Sequence, residues 1–133
     1  MDKEMEHNIC KNFFGKRSRD RLYYELSSPK KRQDFLHRMS HTAEDHLSDC
    51  IAGRFTMPPP PEDIAAFLSP GRCYFITSDS HDGQLLDPET ALADLYRCGV
   101  PYMAVSADCT RGYLETEYNF SEHTAYFLKT RKE

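Results

Sequence analysis

Three observations predict an α+β fold. The first half of the chain carries apolar stripes at helix spacing, the second half carries short apolar and aromatic runs of strand length, and four consecutive prolines divide the two. The predicted organisation is a single domain, residues 1–133, with a helical half at 1–56, a connector at 57–61 and an α/β half at 62–133. At this length the chain can bury roughly two-thirds of the surface that its unfolded form exposes.

The helical half is read from its stripes. Met5, Ile9 and Phe13 recur at i, i+4, i+8, and Gly15 is placed to end that helix. Ser18 can cap a second helix with Leu22, Tyr23 and Leu26 on one side. Ser28-Pro29 is a helix start, an N-cap hydroxyl followed by a proline whose missing N–H costs nothing there. Beyond it Phe35, Leu36, Met39, Ala43, Leu47, Cys50 and Ile51 share one face, so the leading expectation is one long helix to about Ile51. The alternative is a break at Ser40–Thr42, with Thr42 and Asp45 as a capping box. The prolines predict a stiff polyproline connector, and a short helix over Glu62–Leu68 follows.

The second half predicts strand, helix and three strands. Cys73–Thr77 is apolar on both alternating faces, as a strand buried on both sides requires. Asp87-Pro88 opens a helix with Ala91, Leu92, Leu95 and Tyr96 inward, and Tyr102–Ala107 is the next strand. A hairpin over Cys109–Gly112 leads into Tyr113–Tyr118, predicted to have a wet face bearing Tyr113, Glu115 and Glu117. Thr124–Thr130 is the last strand. The connection between the first two strands is long enough for a right-handed parallel crossover. The expected fold is therefore N-terminal helices followed by a β-α-β-β-β unit, a mixed four-stranded sheet with helices packed on one face.

Composition narrows the setting. No apolar run approaches the ~18 residues of a membrane span. The charged N-terminus lacks a secretory apolar core, and an odd set of cysteines (10, 50, 73, 98, 109), mostly inside predicted helices or strands, reads as reduced thiols; the expectation is a soluble, cytoplasmic protein. The net charge of −4 is uneven. Residues 16–38 hold eight Lys or Arg against Asp20, Glu25 and Asp34, whereas from residue 55 onward six basic face twelve acidic residues. Such a dipolar molecule can orient on a partner, an acidic one included, although two solvated helix faces would look the same.

Four groups of residues are candidates for chemistry. If the first two strands are parallel neighbours, Asp79, His81 and Asp82 meet Asp108, Cys109 and Arg111 at one sheet edge. There a cation on Asp79, His81, Asp82 and Asp108, or a Cys109 thiolate activated by His81, becomes available. The plain reading of the same residues is turn chemistry. His37/His41 and His46/Cys50 repeat the i, i+4 spacing of a zinc pair, yet the two pairs point to different sides of a helix and lack further ligands. Lys16, Arg17, Arg19, Arg21, Lys30, Lys31 and Arg32, with Tyr23 and Tyr24, form a basic, aromatic segment able to touch phosphates, in a chain that is acidic overall. Finally, Tyr113, Tyr118, Tyr126 and Phe127 are placed to form a docking face on the sheet.

No phosphate loop, dinucleotide fingerprint, nucleophile elbow or metal-finger spacing is present. The expected function is that of a non-enzymatic protein-binding module of immunity or regulator type, with a protein partner or a second copy, no cofactor and no membrane. The competing expectations are a metal-binding protein or small enzyme built on the strand-end cluster, and nucleic-acid binding through residues 16–38.

Overall fold

The computed structural model describes residues 2–47, 49–96, 98–118 and 123–130. Its helices are α1 (Lys3–Phe13), α2 (Lys16–Ser27), α3 (Arg32–His41), α4 (Ala43–His46), α5 (Pro61–Leu68) and α6 (Pro88–Leu95). Its strands are β1 (Ile51–Phe55), β2 (Cys73–Ile76), β3 (Gln84–Leu86), β4 (Tyr102–Ser106), β5 (Arg111–Glu115) and β6 (Ala125–Lys129). The fold is α+β, and the strands form one open sheet in the order β1-β6-β5-β4-β2-β3, antiparallel throughout.

The mixed four-stranded sheet is therefore corrected at two strands. β3, only three residues long, folds back along β2 and reverses the chain before α6. The helical crossover thus joins β3 to β4, which run in the same direction with β2 between them, and β2 pairs with β4 antiparallel from Cys73↔Ser106 to Ile76↔Met103. The other missing strand is β1. The long helix ends at His41, because Thr42 leaves the helical region (φ −134°, ψ 32°) and its hydroxyl donates to the Arg38 carbonyl. Only one turn, α4, follows before Leu47 extends to bridge Phe14 and the chain enters the sheet. The alternative break at Thr42 was correctly placed, but no side-chain cap forms there.

Helices cover both faces of the sheet, not one. Tyr74, Ile76, Met103, Val105, Leu114, Tyr126 and Leu128 pack with Ile9, Phe13, Leu22, Leu26, Phe35 and Met39 from α1–α3. The alternate residues Cys73, Phe75, Tyr102, Ala104, Tyr113 and Ala125 pack with Ile64 and Leu68 of α5 and Ala91, Leu92 and Leu95 of α6. Period-two alternation thus delivers apolar side chains to two cores, and each large one contributes about 1.5–3 kcal/mol when fully buried. The expected wet face of β5 is absent because α5 and α6 lie over it: Tyr113 and Glu115 are both buried.

Local punctuation was legible in part: Ser18, expected to cap the second helix, lies inside α2, and three further signals shifted. Asp87 caps α6 by accepting from the Thr90 N–H, with Pro88 in the first turn, as Asp-Pro implies. Gly15, expected to end the first helix, instead precedes α2, and Phe14 ends α1 in an extended conformation. Ser28-Pro29 forms a turn, and α3 starts only at Arg32. In the β4–β5 hairpin the left-handed position belongs to Cys109 (φ 59°), not to the glycine at 112. Among the described residues no helix is long and apolar enough to cross a membrane. All five cysteines are free thiols, four buried and Cys98 exposed.

Buried carboxylates anchor two networks, one joining the α1–α3 layer to the sheet and one linking strands on the other face. Glu6 on α1 is 0% exposed and Arg32 at the start of α3 is 6% exposed. One Arg32 nitrogen donates to both Glu6 oxygens (3.0 and 2.9 Å) and to the Leu26 carbonyl (2.7 Å), while the other two donate to the Asp82 carboxylate (2.9 and 2.8 Å). Tyr74 of β2 donates to Glu6 at 2.6 Å, and Asp82 also accepts from the Thr77 N–H. Burial works against the Arg32 charge, but Asp82 and Glu6 outweigh it and hold its pKa above the ordinary value. On the opposite face Glu115 is 0% exposed; Tyr102 (3.0 Å) and Tyr113 (2.7 Å) donate to one of its oxygens, and buried His123 lies 3.2 Å from the other.

Candidate functional site

The antiparallel pairing of β2 with β4 decides the strand-end cluster. Asp79, His81 and Asp82 follow the end of β2 beside Met103, whereas Asp108, Cys109 and Arg111 follow the end of β4 beside Cys73. The two segments lie at opposite ends of the strand pair, separated by its length, about 10 Å at 3.3 Å per residue. The convergence that required parallel neighbours is therefore corrected.

Each half of that cluster is occupied locally. One Asp79 oxygen accepts from the Thr77 hydroxyl and from the His81 N–H; burial raises this carboxyl, but these bonds outweigh it and leave it below the ordinary range. His81 lies between Asp79 (2.9 Å) and Asp94 (3.3 Å), and the Asp79 contact raises its pKa. Asp82 is the fork-shaped partner of Arg32. At the other end one Asp108 oxygen accepts from Ser106, Thr110 and the Thr110 N–H, which lowers its pKa. Burial pushes the Cys109 thiol up to about 11, and its sulfur faces Met5, so it is a neutral core thiol. Arg111 donates to the Phe67 carbonyl and lies over the Phe67 ring.

The histidine pairs also separate. The His37 and His41 rings touch at a tilt of 51°, with centroids 4.4 Å apart, and the second meets Glu117 at 3.2 Å. His46 lies between the Ser18 and Thr42 hydroxyls, while the Cys50 thiol donates to the Phe13 carbonyl. Because Thr42 donates to Arg38, it accepts from His46, which leaves the other imidazole nitrogen to accept from Ser18. Among the described residues no three His, Cys, Asp or Glu side chains are arranged to hold a metal ion.

The aromatic docking face expected on the sheet is corrected too. Tyr113 and Tyr126 are buried, Phe127 stacks on Phe67, and of the four only Tyr118 is exposed. The sheet edges are poor alternatives: β3 has three residues, and β1 carries a register shift between Ile51 and Gly53 and a charged Arg54 paired with Glu44. Bulges, charges and short strands are the features that discourage strand addition.

The basic segment is where the structure concentrates exposed, recognition-capable side chains, and it divides the segment in two. Arg32 belongs to the core network and Arg19 donates to the Phe14 carbonyl. Lys16, Arg17, Arg21, Lys30 and Lys31 are exposed. Arg17, Arg21 and Tyr24 fall at i, i+4, i+7 on α2, one stripe of the helix, and Tyr24 is 62% exposed, the most open large apolar side chain among the described residues. The turn after α2 adds Lys30 and Lys31. The stripe is held in place from below: Leu22 and Leu26 are buried, and Glu25, fixed by Arg38 at 2.9 Å, also meets the Nε of the otherwise exposed Arg21 at 3.6 Å. Across the sheet the outer surfaces of α5 and α6 carry Glu62, Asp63, Glu89 and Asp94 and no Lys or Arg, so the charge asymmetry runs from one helical layer to the other.

Sequence reading missed Glu6, Glu115 and His123. Glu6 had a signal, since it shares the helical phase of Ile9, Cys10 and Phe13. Glu115 shared its expected wet face with Tyr113 and Glu117, and nothing in its neighbours announced a second covering layer. No protein-family model, curated protein or solved structure matches the chain.

Proposed function

We propose that the chain is a non-enzymatic protein-binding module that docks onto an acidic protein surface through Arg17, Arg21 and Tyr24, with Lys16, Lys30 and Lys31 around them. The observation that carries this reading is Tyr24, open to solvent on a rigid helix and aligned with two arginines. Tyrosine and arginine dominate interface energetics because each offers a large, stiff contact surface together with a polar end. The positive charge is sequence-neutral steering, screened over about 8 Å at physiological salt.

Capture from the cells that make the protein tests this. A protein recovered with the wild-type chain, released by salt, and lost with Arg17→Glu/Arg21→Glu is the expected result, and Tyr24→Ala should weaken that complex about tenfold. The same partner held equally by the charge-reversed chain overturns the proposal. So does recovery of nucleic acid in place of protein.

A further inference from the structure

We propose that the pocket between the α5–β2 turn and the β4–β5 hairpin binds a free α-amino acid. The pocket has a volume of about 300 Å³ and includes Leu68, Ser69, Pro70, Asp108, Thr110 and Arg111 in its walls. That volume lies at the lower end of the range of small-molecule sites.

Its two charges are fixed and not neutralised by each other. Arg111 is anchored from behind by the Phe67 carbonyl at 3.2 Å and by the Phe67 ring, 5.1 Å from the guanidinium carbon. Its Nε and second terminal nitrogen have no hydrogen-bond partner among the described residues. Asp108 is anchored through a single oxygen, Oδ1, which takes the bonds from Ser106 and Thr110 and leaves Oδ2 open. Among the described residues the two side chains form no ion pair, although they share one small pocket. The pocket beside α4 differs: its guanidinium, Arg54, is already paired with Glu44 at 2.6 Å.

An anchored guanidinium and an anchored carboxylate on separate parts of one wall set match a zwitterion. The ligand carboxylate takes the free Arg111 nitrogens in the planar geometry that arginine favours, and its ammonium takes Asp108 Oδ2. Leu68 is buried behind the wall and Ser69 and Pro70 are exposed on it, so the lining reads the two charges of the ligand and sets no preference for its side chain. The pocket lies on the α5 side of the sheet, away from α2, so its occupancy is independent of the docking proposal.

Amide chemical shifts of the full chain, titrated with glycine, L-alanine and L-valine, test the inference, with acetate and methylammonium as single-charge controls. Saturable shifts at Thr110 and Arg111 are expected with the amino acids. Binding of each control should be at least about tenfold weaker, and Asp108→Asn and Arg111→Gln should each lose at least about tenfold. Asp108→Asn keeps the Oδ1 acceptor that shapes the hairpin, so it separates loss of the site from loss of the fold. No saturable shift up to about 50 mM amino acid, or acetate binding as tightly as alanine, overturns it.

Discussion

Replacing Arg32 with methionine should cost about 3–5 kcal/mol of stability, the cost of leaving buried carboxylates without their cation. In the wild-type chain Arg32 spends every one of its nitrogens: one on Glu6 and Leu26, two on Asp82. Removing it leaves the Glu6 carboxylate with Tyr74 as its remaining donor and strips Asp82 of both of its guanidinium bonds. Methionine fills much of the volume, so the loss reports electrostatics and not a cavity. At about 4 °C per kcal/mol for a chain of this size, the melting temperature should fall by roughly 12–20 °C. Thermal and urea unfolding of Arg32→Met beside Lys31→Met measure it. The neighbouring exposed lysine should change stability by no more than about 0.5 kcal/mol. A loss below about 1 kcal/mol for Arg32→Met would mean that the network is not closed as described.

The second large effect should come from Glu115→Leu. Leucine approximates the size of the carboxylate side chain but accepts nothing, so Tyr102 and Tyr113 lose their shared acceptor and buried His123 loses the carboxylate 3.2 Å from its ring. Each buried polar group orphaned in this way costs about 1–3 kcal/mol, so a total of about 3 kcal/mol or more is expected. Glu115→Gln keeps an oxygen for the two phenols and should lose less. Urea unfolding of the pair checks the ranking, and equal stability of the leucine and glutamine variants would contradict it. Both tyrosine hydroxyls are held firmly protonated, by burial first and by Glu115 in addition, so they act purely as donors to this carboxylate.

These networks mark where sequence reasoning ended. The apolar periodicities were legible because they are local: the α1 stripe, the Phe35–Met39 face and the two-sided apolar strands all appear where the spacing put them. Direction was not legible. Whether β2 and β4 run together or opposed depends on Gln84–Leu86, a run too short to carry a strand signal of its own. That three-residue reversal separates Asp79–Asp82 from Asp108–Arg111 and dissolves the composite site. β1 was hidden for another reason: Leu47, Cys50 and Ile51 continue the α3 phase, so periodicity could not register the change to an extended chain. The basic segment was visible as charge, but only the fold shows which of its members are spent internally. Arg19 and Arg32 turn to the core, whereas Arg17, Arg21 and Tyr24 remain outside.

The central claim is that this remaining stripe meets carboxylates of a protein partner. Zero-length carbodiimide coupling in the native complex tests it most directly, because it joins a partner carboxylate to a lysine amine only where the two already touch. Links at Lys16, Lys30 and Lys31 are the predicted result. A complex that couples instead through Lys129 of β6, or that leaves all three α2-side lysines unmodified, would contradict the account.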